Sequence, residues 1–97
     1  MKFRFDFSLF YSPTEPYGCV TGYVEIPFQS RPGDVLSLLD EGGMGESLVL
    51  KIDSVLEAGD DYSGTLMLED HVVAGHSSAQ ALAHRLETEG QFFVDVY

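Results

Sequence analysis

Residues 2–11, KFRFDFSLFY, alternate strictly between apolar and polar side chains. The apolar positions are Phe3, Phe5, Phe7 and Leu9, and the polar positions are Lys2, Arg4, Asp6 and Ser8. Because successive side chains of a strand point to opposite faces, a period of two predicts a β-strand with one buried face.

A second alternating run follows. Residues 12–18, SPTEPYG, contain two prolines and one glycine and are predicted to form a loop. Residues 19–28, CVTGYVEIPF, resume the alternation, so the two runs are expected to form a long antiparallel pair. The inward positions of this second run are Val20, Val24 and Ile26. Gly22, in mid-strand, predicts a β-bulge or a close approach to the backbone.

The next segment is predicted to hold a turn, a short apolar piece and a loop. Pro32 and Gly33, within QSRPGD at 29–34, fit a type II turn, in which the glycine takes a positive φ. Residues 35–39, VLSLL, are too few to distinguish a buried strand from one helical turn. Residues 40–46, DEGGMGE, are expected to be a flexible loop.

A hairpin is predicted after this loop. Residues 47–58, SLVLKIDSVLEA, begin as a strand, and the phase of the alternation then slips. A bulge near Asp53 and Ser54 would explain the slip. Residues 59–64, GDDYSG, supply the hairpin turn, and residues 65–73, TLMLEDHVV, the return strand.

One helix and a last strand complete the chain. The apolar positions with helical spacing are Ala79, Leu82, Ala83 and Leu86. Ser77 and Gln80 match a capping box, and Gly90 is expected to end the helix in the left-handed conformation. Residues 91–97, QFFVDVY, form the last strand. Its two faces are predicted to be Phe92, Val94 and Val96 inward, and Phe93, Asp95 and Tyr97 outward.

The predicted fold is α+β, with residues 1–97 as a single domain. We expect a curled, mostly antiparallel sheet or partly open barrel of five to six strands, with one C-terminal amphipathic helix before the last strand. Leu82 and Leu86 are expected to pack on the sheet face that carries the buried side chains of residues 2–11, together with Leu50.

The composition restricts the class of partner. The chain has 97 residues, 44% of them hydrophobic, and a net charge of −11. Such a charge disfavours nucleic acid and anionic membrane surfaces, and it permits a basic protein partner. Cys19 is the single cysteine, so no internal disulfide can form. With no predicted signal peptide or membrane span, the expected location is the cytoplasm.

No catalytic, metal or cofactor site is predicted. The three histidines, His71, His76 and His84, do not have the spacing of known zinc motifs, and Cys19 has no activating neighbour in sequence. The glycines in DEGGMGE lack the Lys-Ser/Thr of a phosphate loop. The chain is therefore expected not to be an enzyme. A weaker alternative is an enzyme that uses the region of Asp70, His71 and His76.

Acidic residues are concentrated in the middle of the chain. Residues 34–70 contain ten carboxylates and a single basic residue, Lys51. The predicted partner-binding residues are Asp40, Glu41, Glu46, Asp60 and Asp61. The predicted function is a non-enzymatic acidic binding protein that neutralises or masks a basic protein, as immunity proteins and inhibitors do. The alternative interpretation of these carboxylates is a set of solvated turns.

A different class of function remains open: a structural or regulatory module that self-associates or binds a small ligand through its sheet. Phe10, Phe93 and Tyr97 fall on the outward faces of the terminal strands, where polar residues are usual. These three residues predict a homodimer. In the alternative, the loop at 12–18 covers them and the protein is monomeric.

Overall fold

A long strand pair at the start of the chain organises the whole sheet. The structure, a computed structural model, describes residues 1–27, 29–40, 47–57 and 62–97. The elements in this part are β1 (Lys2–Ser12), β2 (Glu15–Glu25), β3 (Val35–Leu39), β4 (Leu48–Leu56), β5 (Thr65–Leu68), β6 (His71–Val72), α1 (His76–Thr88) and β7 (Phe93–Val96).

The seven strands form one curled sheet in the order β3-β4-β5-β1-β2-β7, and β6 also pairs with β1. Strand β1 is antiparallel to β2 but parallel to β5 along its first half and to β6 along its second half. The remaining pairs are antiparallel. The α+β class and the mostly antiparallel sheet are therefore confirmed. The strand count was too low because the predicted return strand at 65–73 is divided into β5 and β6.

The core forms on one side of this sheet, as the alternation predicted. The β1 side chains Phe3, Phe5, Phe7 and Leu9 are at most 2% exposed. Helix α1 contributes Leu86, which is fully buried, and Leu82, which is partly buried against the same cluster. Leu50 of β4 also lies in this cluster. The helix therefore packs on the sheet face expected from the sequence.

The predicted loop at 12–18 is much shorter than expected. Strand β1 continues to Ser12 and β2 begins at Glu15, so only residues 13–14 form the turn. The pairing register passes from Leu9↔Gly18 to Phe10↔Pro16, which leaves Tyr17 as an extra residue. Proline is tolerated at such a position because the ladder of hydrogen bonds is already interrupted there.

Both predicted ends of the helix need correction. The helix begins at His76 with Gly75 at the N-cap and no side-chain cap, so Ser77 is already inside the first turn and the capping box does not form. Gln91, with φ 57°, takes the left-handed conformation that was expected of Gly90. A side chain at Gly90 would lie 2.5 Å from the Phe92 ring, so close packing explains this glycine.

The predicted turn and bulge are both present. Gly33 has φ 94°, and the Asp34 amide donates to the Arg31 carbonyl at 3.1 Å. Residues 35–39 are the strand β3. The register passes from Ile52↔Leu68 to Ser54↔Met67, so Asp53 is the bulged residue. The predictions for residues 41–46 and 58–61 lie outside the described residues.

The outer end of β7 differs from the prediction. Phe92 and Val94 pack against the core, but Val96 is 56% exposed. Val96 pairs with Gly18, which has no side chain to cover it.

Gly22 is a position of close approach rather than a bulge, since it pairs with Phe5 in regular register. A Cβ atom on Gly22 would lie 2.6 Å from Cδ1 of Phe92 and 2.9 Å from Cε2 of Phe5. These two rings meet edge to face with their centroids 4.8 Å apart. The absence of a side chain at Gly22 therefore leaves the space that this aromatic pair occupies.

Gly22→Ala should lower the free energy of unfolding by about 1–3 kcal/mol, because the added methyl overpacks the core. Adding Phe92→Leu should restore space, so the double variant should lose about 0.5–3 kcal/mol less than the sum of the single variants. Urea denaturation measures each value. The matched control, Gly22→Ala with the exposed Phe93→Leu, should be additive. If the changes in unfolding free energy are additive in both double variants, the close contact between residue 22 and the Phe92 ring is contradicted.

Candidate functional site

Strands β3, β4 and β5 are neighbours at one end of the sheet, and this end carries the acidic middle of the chain. We call the exposed carboxylates of its described residues the acidic wing: Asp34, Asp40, Asp53, Glu57 and Asp70. Each of these five carboxylates lies on β3, β4 or β5 or within two residues of one of these strands.

The residues predicted to bind a partner fall only partly within the described chain. Asp40 is exposed directly after β3. Glu41 and Glu46 belong to the connection from β3 to β4, and Asp60 and Asp61 to the connection from β4 to β5. These four lie outside the described residues.

Among the described residues, the ion pairs lie away from the acidic wing. They join the Met1 amino group to Glu25 at 3.5 Å, Arg4 to Asp6 at 3.9 Å, and Arg85 to Glu89 at 2.8 Å. The acidic wing thus has no cationic partner within this part of the structure, and its carboxylates leave a negative potential at one end of the molecule.

Two carboxylates of the same segment also have structural roles. Oδ2 of Asp34 accepts a hydrogen bond from the Arg31 amide at 3.0 Å, within the turn at Gly33. The Lys51 amide donates to Oε2 of Glu69, and the Glu69 amide donates to the Lys51 carbonyl. These two hydrogen bonds join β4 to the residue after β5, beside the bulge at Asp53. Glu69 is half-buried and is therefore not counted in the acidic wing, whereas Asp34 is exposed and is counted.

The histidines are dispersed. His71 is half-buried in β6, where burial lowers its pKa and the charge of Glu69 partly offsets this effect. The His76 ring lies edge-on to the rings of Tyr11 and Tyr17, at centroid distances of 5.4 and 5.2 Å. His84 is exposed on the helix. Within the described ranges, no three His, Cys, Asp or Glu side chains converge as metal ligands.

Cys19 is held as a protonated thiol on the outer face of the sheet. Its sulfur donates to Oδ1 of Asp6 at 3.1 Å. Partial burial, followed by the hydrogen bond and charge of Asp6, raises the pKa of Cys19 from 9.0 to about 11. A thiol with this pKa is a weak nucleophile at neutral pH because the thiolate is the reactive form.

A cleft that the sequence did not predict lies between β6, the start of β4 and the helix. Its volume is about 400 Å³, within the size range of small-ligand sites. Leu48, Val73 and Leu82 supply an apolar wall, and His71 and Arg85 a polar one. Arg85 also donates to both carboxylate oxygens of Glu89, which raises the pKa of Arg85 and lowers that of Glu89.

The residues predicted for self-association separate in the structure. Phe93 and Tyr97 are 65% and 70% exposed and lie on the last strand and directly after it, at an end of the sheet. Phe10 is only half-buried, but it lies in the interior strand β1, between Pro16 of β2 and Val72 of β6. Phe93 and Tyr97 are therefore available at an edge, whereas Phe10 is flanked on both sides.

The comparisons with known proteins are limited to one partial similarity. No family model and no solved structure matches the chain. A stretch of 62 residues, 61% of the chain, is 39% identical to the arabinose import ATP-binding protein AraG of Pseudomonas syringae pv. tomato (strain ATCC BAA-871 / DC3000). The stretch spans 11% of that protein. The chain has no G-x-x-x-x-G-K-[ST] motif, so nucleotide binding is not carried over from this similarity.

In the described ranges, helix α1 has 13 residues, and no helix combines the length and apolar character that a membrane crossing requires.

Cys19 should react with iodoacetamide about 10- to 100-fold more slowly at pH 7.5 than the thiol of a fully exposed cysteine, because a smaller fraction of Cys19 is thiolate. Since the raised pKa shifts ionisation upward, the rate should keep rising beyond pH 9. Asp6→Asn removes the acceptor and a negative charge, so it should lower the pKa and speed the reaction. Asp53→Asn, the distant control, should leave the rate unchanged. A rate that levels off near pH 9 in the parent protein would contradict the assigned environment.

Proposed function

We propose that this chain is a non-enzymatic binding protein whose acidic wing docks a basic protein partner, in the manner of an immunity protein or an inhibitor. The observation that carries the proposal is the grouping of Asp34, Asp40, Asp53, Glu57 and Asp70 at one end of the sheet, without cationic partners among the described residues.

Two electrostatic effects of this arrangement favour the docking of a basic partner. Like charges held together at one end of a small domain repel one another and cost stability. A basic surface would relieve that repulsion on docking and would be attracted before contact, so the association rate would rise. The carboxylates predicted from the sequence, Glu41, Glu46, Asp60 and Asp61, would extend the same surface.

The state of the one cysteine also supports binding rather than covalent catalysis. Cys19 is protonated at neutral pH and donates to Asp6, which is the opposite of an activated nucleophile. A free thiol is compatible with a reducing compartment, and the cytoplasm is the proposed location.

The alternative function is a module that binds a small ligand. The cleft between β6 and the helix favours this alternative, because it combines an apolar wall with the polar side chains of His71 and Arg85.

Partner docking can be tested through its kinetics. A partner is first captured from the native host at low ionic strength and identified by mass spectrometry. Stopped-flow association is then measured with the purified pair over a range of salt concentrations. Asp60→Asn with Asp61→Asn, and Asp40→Asn with Glu41→Gln, should each slow association several-fold at low salt and flatten the salt dependence. Dissociation should change less, because these charges act mainly before contact.

The matched control is Glu25→Gln with Glu87→Gln, which removes the same net charge outside the acidic wing. This variant should associate nearly as fast as the parent. Equal slowing in all three variants would show that only total charge matters. An unchanged association rate in both the Asp60/Asp61 and the Asp40/Glu41 double variants would show that these carboxylates only belong to solvated turns.

A further inference from the structure

Strand β7 ends the sheet with an open hydrogen-bonding edge. It pairs with β2 on one side, and no other strand in the described part of the chain pairs with its second side. The Tyr97 amide donates to the Tyr17 carbonyl of the neighbouring strand. Because an antiparallel ladder alternates, Phe93, Asp95 and Tyr97 direct their backbone groups toward β2. Val94 and Val96 therefore direct theirs outward.

The side chains along this edge are unusually apolar for an uncovered strand. Phe93 and Tyr97 lie on the outer face at 65% and 70% exposure, and Val96 is 56% exposed on the inner face. Asp95 lies between the two aromatic residues and is the one charged side chain on the strand. Natural edge strands are usually protected by shortness, charges, proline, a bulge or a covering element. Strand β7 has four residues, and the Phe92 amide before it donates to the Leu86 carbonyl of the helix, but along the strand itself Asp95 is the one charge.

A second copy of the chain fits this edge in one antiparallel register. The outward groups of Val94 in one copy can pair with those of Val96 in the other, and the two-fold axis repeats that pair, for four backbone hydrogen bonds in total. The same register places Phe93 of each copy opposite Tyr97 of the other, twice. It also places the two Asp95 side chains opposite each other at the axis.

The charge distribution favours a second copy at this edge. The acidic wing occupies β3–β5, at the other end of the strand order from β7. Two copies that meet at β7 therefore do not pair β3, β4 or β5 of one copy with the same strands of the other, although each chain carries a net charge of −11. Pairing through any strand of the acidic wing would instead bring these charges together.

We propose that the chain forms a weak two-fold dimer through β7. Repulsion between the two Asp95 side chains at the axis weakens this dimer. Because Phe93 and Tyr97 are 65% and 70% exposed, the four side chains can bury about 400–700 Å² between them, below the roughly 1,200 Å² at which stable interfaces begin. The dimer is therefore reversible, and its strength depends on the charge at residue 95. This inference is independent of partner docking, because it uses the opposite end of the sheet.

Sedimentation equilibrium over a concentration series tests the dimer. Asp95→Asn removes the like-charge pair and should lower the dissociation constant by up to about fivefold. Phe93→Ser with Tyr97→Ser should raise it by about tenfold or more, because both aromatic pairs are lost. Val49→Ser, which changes an exposed apolar residue of β4, is the control and should have no effect. Added salt should strengthen the dimer, whereas it should weaken docking of a basic partner.

A disulfide cross-link tests the register in which the two β7 strands pair. This test does not require the Phe93→Ser, Tyr97→Ser variant to fold. Residues opposite each other at this axis are about 4.5 Å apart between Cα atoms, within disulfide range. In a Cys19→Ser background, Asp95→Cys should therefore form a disulfide-linked dimer on mild oxidation, and Phe93→Cys should not. The proposal is overturned if parent and Asp95→Asn both stay monomeric at the highest soluble concentration. It is also overturned if residues 93 and 95 cross-link equally.

Discussion

The burial of one row of side chains on β1 supports the rest of this structure. Phe3, Phe5, Phe7 and Leu9 are at most 2% exposed, and β1 is an interior strand with β2 on one side and β5 and β6 on the other. Each fully buried side chain of this kind contributes about 1.5–3 kcal/mol. The other elements are arranged around this row: helix α1 covers it, and Gly22 leaves room for the Phe5–Phe92 ring pair beside it.

Local patterns in the sequence predicted the parts of the fold that depend on neighbours along the chain. The alternation of residues 2–11, the turn at Gly33 and the bulge at Asp53 each follow from the steric preferences of a few consecutive residues. The parallel pairing of β1 with β5 could not be predicted, because it joins Arg4 to Thr65 with no local signal. The parallel pairing of β1 with β6, which joins Leu9 to His71, is likewise non-local, and it positions His71 in the cleft. The sequence therefore predicted the acidic segment but not the cleft.

The two ends of the sheet are chemically different. At the β3 end, the exposed carboxylates make no ion pair among the described residues. At the β7 end, backbone groups and aromatic rings face water. The first end stores electrostatic repulsion that a basic surface would relieve, and the second leaves hydrogen bonds that another strand would complete. Ionic strength acts on them in opposite directions, so one titration separates the two proposed interactions.

Native-state hydrogen exchange tests the central role of β1 most directly. If its buried row holds the fold together, the amides of Phe5 and Phe7 should exchange only through global unfolding. Their opening free energy should then equal the free energy of unfolding from urea denaturation and exceed that of the amides in helix α1. Exchange of the β1 amides by local opening, at a lower free energy than the helix amides, would contradict the account.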